Sequence, residues 1–345
     1  MRRSHPEPAT SGSLARRTLR QLARIPTPAI FLASVLVALF VLWRQGQVQE
    51  IARTIADAAT GPLLLAAPIY VASLWLLCYR WHLLVRMAQE ASDLPRAAEA
   101  FLTSVVINYA APIGLAVPSR AALTKRALGL DAHATGTIAL WEIVADVLVL
   151  GLGTLLWLLL ADGSAGAVGS ELSDSAGQYR LVVGAILAIG LVGAVLLVAT
   201  PRRRRQLLSL AGRILLAPRE RPLEALRALA ISALYWVVQG LVLALLVQAM
   251  HVGPTFELVL GLVSLPILVG MLSPIPGGAV VREALMYVVA RLAAVPGSEV
   301  VAAAVIYRMA LFAAIPILYV LTRIWLSRRD GGRRPVTPGE TMRSA

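Results

Sequence analysis

The sequence predicts an all-α polytopic membrane protein with about six full spans and two broken, re-entrant helical hairpins related as an inverted repeat. Three observations carry that expectation. Of 345 residues, 58% are hydrophobic and 15% charged, with a mean hydropathy of +0.74; soluble domains carry about a quarter charged residues. The apolar residues recur in runs of about twenty, the length of a bilayer span, rather than in the short alternating strands of a barrel. Two further runs are interrupted by prolines and glycines, at Ala97–Pro118 and Leu258–Val295.

The net charge of +13 and pI of about 11.0 invite a nucleic-acid reading. The arginines instead sit between apolar spans, as the positive-inside rule requires, so no nucleic-acid partner is expected. The single cysteine, Cys78, lies in an apolar run, and His5, His82, His133 and His251 are scattered. Neither a disulfide framework, a metal centre nor a cofactor is expected. No G-x-S-x-G, Walker A, H-E-x-x-H or dinucleotide fingerprint is present, so the residues point away from a soluble enzyme.

Residues 1–24 are basic and polar without the pattern of a signal peptide, and read as a cytoplasmic tail. Spans are expected at Pro28–Trp43, Pro62–Tyr79, Thr137–Leu160, Leu181–Thr200, Ala228–Met250 and Val300–Leu326. Arg44–Thr60 reads as an amphipathic interfacial helix. Tyr79-Arg80-Trp81-His82 reads as an aromatic belt with a snorkelling arginine at the end of its span. Ala161–Tyr179 is a Gly/Ser-rich acidic loop, Pro201–Arg227 the most basic one, and 327–345 a disordered cytoplasmic tail.

Both flanks of Ala97–Pro118 carry arginines, so this segment is expected to enter and leave from the cytoplasm. Leu258–Val295 is expected to enter from the outside. The helix breaks fall at Pro112 and Gly114 in the first, and at Pro274, Pro276, Gly277 and Gly278 in the second. Ala111-Pro112-Ile113 matches Ser273-Pro274-Ile275; eight residues after the proline come Arg120 and Arg282, and thirty-four after come Asp146 and Arg308. The order span, hairpin, span thus occurs at about 62–160 and again at 228–326, with opposite starting faces. Secondary transporters place their sites where such broken helices meet.

Glu142 and Asp146 are four apart and share a helix face. One reading is a structural ion pair with Arg282 or Arg308. The other is a role in binding a cationic group, carrying a proton, or orienting an arginine. Arg120, Arg282 and Arg308 suit a phosphate, which guanidinium grips bidentately; Arg120 also reads as a plain cytoplasmic charge. Asn108 reads either as a site residue or as a cap for broken backbone. Arg291 reads as interfacial.

In combination, Tyr79-Arg80-Trp81, Asn108, Pro112, Arg120, Glu142-x-x-x-Asp146, Pro274-Ile275-Pro276-Gly277-Gly278 with Glu283, and Tyr307-Arg308 resemble the membrane domain of lysylphosphatidylglycerol synthases and their stand-alone, flippase-like relatives. The resemblance covers about residues 25–326. It departs from the family at Ala116 and Val117, where Gly-Glu is common, and at Val280, where glycine is common. In the synthases this domain is held to move an aminoacylated lipid to the outer leaflet, while a separate soluble domain makes it. With no such domain after the last span, synthase activity is not implied.

The resulting expectation is a multi-pass bacterial inner-membrane protein, both termini cytoplasmic, that translocates or binds a phospholipid or polyprenyl-linked lipid. The candidate binding residues are Asn108, Arg120, Glu142, Asp146, Arg282, Glu283 and Arg308. Partners are lipids with anionic or zwitterionic head groups, and a lipid-modifying enzyme is a further candidate. The alternatives are an intramembrane enzyme or accessory subunit of head-group modification, and a non-transporting scaffold.

Overall fold

A computed structural model describes residues 56–88, 92–110, 128–161, 215–272 and 281–331, together with Leu123, Lys125 and Gly212. All regular structure among them is helical. The main helices are α1 (Thr60–Ala88), α2 (Leu94–Ala110), α3 (Ala132–Leu160), α4 (Pro222–Ala249), α5 (Phe256–Leu272), α6 (Val281–Leu292) and α7 (Gly297–Gly331). Four of them, α1, α3, α4 and α7, are long and apolar enough to cross a membrane. At 1.5 Å per residue, the 28 residues of α4 reach about 42 Å, ample for a hydrocarbon core of about 30 Å.

Local chemistry sets the ends. Asp131 caps α3, its Oδ1 accepting from the Ala134 N–H at 2.6 Å, so this helix begins five residues before the expected Thr137. Pro222 opens α4, where its missing N–H is harmless. Pro68, Pro266 and Pro316 lie inside helices, as membrane helices tolerate.

Two expectations need correction. The span expected to end at Tyr79 runs on to Ala88, because Leu83, Leu84, Val85 and Met87 are buried against the bundle and keep the chain helical past Arg80. Likewise α7 continues to Gly331, so residues 327–331 are helix rather than disordered tail. The expected spans at 28–43 and 181–200, the segment Arg44–Ile55, residues 162–211 of the acidic and basic loops, the tails at 1–24 and 332–345, and both helix breaks lie outside the described residues.

The bundle has two distinguishable ends. At one end the start of α1 meets the end of α4, the Ala59 N–H donating to the Ala249 carbonyl at 2.9 Å. At the other, arginines gather. Arg86 pairs with Glu224 at 2.8 Å, Arg323 with Glu99 at 3.1 Å and Arg329 with Asp93 at 2.8 Å. These contacts set α1 and α7 antiparallel to α4, and start α2 from the arginine-rich end.

Gly261 fixes the remaining helices. A Cβ there would lie 2.5 Å from Trp157 Nε1 and 2.9 Å from Val289 Cγ1, so only glycine lets α3, α5 and α6 meet so closely. Gly261 and Val289 stand at comparable distances from the segment joining α5 to α6. Tyr287 packs at Gly297 and Glu283 pairs with Arg308, so α6 runs antiparallel to α7 and, since α5 starts at the end where α4 finishes, antiparallel to α5. With 17 and 12 residues, α5 and α6 reach about 26 Å and 18 Å. Trp157 near the end of α3 meets the start of α5, so α3 begins at the arginine-rich end, as α2 does.

Candidate functional site

Two charged clusters lie inside the bundle. The first is organised by Arg80 on α1, which is 3% exposed. Its Nη2 donates to Glu142 Oε1 at 3.2 Å, and its Nη1 donates to Ser232 Oγ at 3.1 Å and to Asp146 Oδ1. Trp236 Nε1 donates to the same Asp146 oxygen at 2.8 Å. Glu142 and Asp146 are buried on one face of α3, as their spacing requires. Counting along the helices, the cluster lies about 12 to 21 Å in from the arginine-rich ends.

The second cluster lies where α6 meets α7. Glu283 Oε1 accepts from Arg308 Nη1 at 3.0 Å. Arg282, in the first turn of α6, is 9% exposed. Its Cζ lies 4.8 Å from the centre of the Tyr307 ring, a cation–π contact. Tyr307 in turn meets Tyr70 of α1 edge to face, with ring centres 5.4 Å apart. Tyr70 and Tyr307 are each ten residues from the end of their helix remote from the arginines, so this layer sits about 15 Å in from that end.

The two clusters differ in how their polar atoms are satisfied. Among the described residues, no nitrogen or oxygen of Arg80, Glu142 or Asp146 is buried without a hydrogen-bond partner, whereas Nε and Nη2 of Arg282 and Nε of Arg308 are. An unmet buried N–H of a charged group forfeits its hydration without replacement. Between the clusters, Gln239 Nε2 donates to Ser73 Oγ at 3.0 Å, and that hydroxyl donates to the Tyr70 carbonyl at 2.6 Å. Gln239 is fully buried and its Oε1 lacks a partner. A polar seam thus runs between α1 and α4 from one cluster toward the other.

Of the expected residues, Glu283 pairs with Arg308, and Arg282 lies over the neighbouring Tyr307 ring. Glu142 and Asp146 do not join them. Their guanidinium is that of Arg80, not of Arg282 or Arg308 as the ion-pair reading expected. Arg80 itself is corrected from a snorkelling interfacial residue to a buried one. Asn108 lies on α2, with its side chain outside the described residues. Arg120, Pro112, Gly114, Pro274, Pro276, Gly277 and Gly278 lie outside them altogether. Arg291 closes the last turn of α6 and is exposed.

Arg80 was read from the sequence as interfacial rather than as part of a site, and Ser232, Trp236, Gln239, Ser73 and Tyr70 were not singled out. Arg80 had a usable signal, because the apolar Leu83–Met87 stretch beyond it carries the helix onward. The others are ordinary membrane-helix residues whose role depends on register against a distant helix.

Charged clusters buried between apolar helices, one of them beside two short antiparallel helices, define a polytopic membrane protein with an intramembrane polar site. The family described as Lysylphosphatidylglycerol synthase TM region matches residues 29–318, and the chain belongs to it. It is thereby a membrane domain of a lipid-related class. No curated protein matched the chain.

Proposed function

We propose that the protein binds or translocates a phospholipid or polyprenyl-linked lipid across the bacterial inner membrane, its head-group phosphate lodging against Arg282 and Arg308. The single observation behind this reading is Arg282, buried beside Tyr307 with two N–H-bearing nitrogens that no group among the described residues accepts. A phosphate oxygen pair is the natural complement of that fork. The start of α6 adds backbone N–H groups at the same depth, and the helix dipole favours an anion there.

The arrangement of the flanking helices supports movement as well as binding. Segment 94–131 leaves and returns at the arginine-rich end, and segment 256–297 at the opposite end. Inverted hairpins of this kind suit alternating access, one half rocking against the other around a shared site. Arg120 is assigned to the phosphate from the first hairpin, and Asn108 to the broken backbone beside it. Glu283 balances Arg308 until the head group arrives. The arginine-rich end faces the cytoplasm, with both termini on that side.

Leaflet exchange of fluorescent phospholipids and polyprenyl phosphates in proteoliposomes tests the reading. Exchange above protein-free vesicles for at least one phosphate-bearing lipid is expected, with loss of at least about tenfold in Arg282→Gln, one hydrogen-bonded charge being worth about that factor. Exchange for no lipid class, or exchange unaffected in Arg282→Gln, would sink it. A changed lipid species in a deletion strain, rather than a changed leaflet distribution, would favour head-group chemistry instead.

A further inference from the structure

Gln239 on α4 is fully buried, and its Oε1 has no hydrogen-bond partner among the described residues. A neighbour fixes the orientation of its amide. The Ser73 hydroxyl gives its one proton to the Tyr70 carbonyl at 2.6 Å, so toward Gln239 it can only accept. The amide therefore turns Nε2 to Ser73, at 3.0 Å, and holds Oε1 away from it. A buried acceptor held unmet forfeits its hydration, as the Arg282 donors do.

Gln239 shares a layer with those donors. It stands ten residues before Ala249, at the end of α4 that joins the start of α1. Tyr70 and Tyr307 stand ten residues into α1 and α7 from the same end. Tyr70 and Ser73 are three apart and share a face of α1. Gln239 meets that face from α4, and Tyr307, carrying Arg282 over its ring, meets it from α7. Helices α4 and α7 also pack against each other. The layer thus lacks two complementary groups: an acceptor for Arg282 Nε and Nη2 and Arg308 Nε, and a donor for Gln239 Oε1.

A phosphate diester brings only acceptors, so it satisfies the arginines and leaves Gln239 unmet. We propose that Gln239 is a specificity-determining residue, its Oε1 accepting from a hydroxyl or ammonium group that the lipid head group carries beyond its phosphate. The assignment rests on the phosphate reading of Arg282. A choline or methyl head group seats its phosphate equally well but forgoes the bond to Gln239.

The test is the affinity of the full chain in detergent for four short-chain lipids with identical acyl chains. It is read from the lipid concentration that half-saturates the rise in unfolding temperature. The lipids form two pairs matched in charge: phosphatidylglycerol against phosphatidylmethanol, and phosphatidylethanolamine against phosphatidylcholine. In at least one pair the donor-bearing member should bind about tenfold more tightly, a buried hydrogen bond being worth about that factor. The first pair reports a hydroxyl and the second an ammonium. In Gln239→Leu the preference should fall to about unity. Ser73→Ala keeps Gln239 but releases its amide to flip, and should shrink the preference as well. A Gln239 that only supports the fold would weaken all four lipids alike in Gln239→Leu and keep the preference, which overturns the proposal. Binding without preference in the unmodified protein, yet lost in Arg282→Gln, overturns the Gln239 assignment alone and needs no Gln239 variant to fold. Binding undiminished in Arg282→Gln overturns the phosphate reading beneath it.

Discussion

Arg80 and Arg282 are both guanidiniums buried among apolar helices, 3% and 9% exposed. Arg80 reaches Glu142, Asp146 and Ser232, and Trp236 secures the shared aspartate. Arg282 lies over the Tyr307 ring and leaves Nε and Nη2 without an acceptor among the described residues. The same side chain is thus used in two ways. Where carboxylates and hydroxyls complete its bonds, it locks α1, α3 and α4 in one register. Where no described residue does so, its donors stay open to an anion. A buried ion pair is poor evidence of net stability, yet breaking one strands its partner charge. An unmet buried guanidinium has the opposite signature, because its removal relieves a desolvation penalty.

This contrast predicts which substitutions break the fold and which break function. The largest effect belongs to Arg80→Ala, which strands two carboxylates. A loss of about 3–5 kcal/mol is expected, read as failure to recover folded protein in detergent. Replacing Arg80, Glu142 and Asp146 together with leucines should restore much of the recovery, since the triple change removes the charges as a unit. Next comes Arg282→Leu, for which thermal unfolding in detergent should stay within a few degrees of the parent or rise, while lipid exchange collapses. If Arg282→Leu unfolds as Arg80→Ala does, the two clusters do not differ in the way described.

A smaller effect is expected at Gly261. A methyl there meets Trp157 and Val289, and overpacking of this kind costs about 1–3 kcal/mol. Gly261→Ala should therefore unfold several degrees lower, and Gly261→Ala with Val289→Ala should recover part of the loss. The smallest effect is at the arginine-rich surface. Glu99 accepts from Arg323 at 3.1 Å and from Tyr319 at 3.2 Å, but Arg323 is half exposed. Glu99→Gln should shift stability by less than about 1 kcal/mol, a shift that added salt should mask.

How much of this could be read from the chain depends on the range of each signal. Spans α1, α3, α4 and α7 follow from run length alone, because a bilayer sets one dimension for all of them. The shared face of Glu142 and Asp146 is a local periodicity and is equally legible. Grouping Glu283 with Arg308 in one candidate site rested on the two broken segments and on the family resemblance together, a longer-range inference carried by few residues. Arg80 was misplaced because Tyr-Arg-Trp-His has the composition of an interfacial belt. Only the apolar stretch that follows distinguishes a helix ending there from one passing through. The partners Ser232, Trp236 and Gln239 lie more than 150 residues along the chain from Arg80 and Ser73. No sequence period encodes which turn of α4 faces which turn of α1.

The difference between the clusters reduces to whether Arg282 awaits an anion. The most direct measurement is the rise in unfolding temperature of the full chain in detergent as a short-chain anionic phospholipid is added, since a ligand that binds only the folded state stabilises it. A saturable rise is predicted for the parent, and its loss in Arg282→Gln. An undiminished rise in Arg282→Gln would contradict the account, because the buried donors would then have no part in holding the head group.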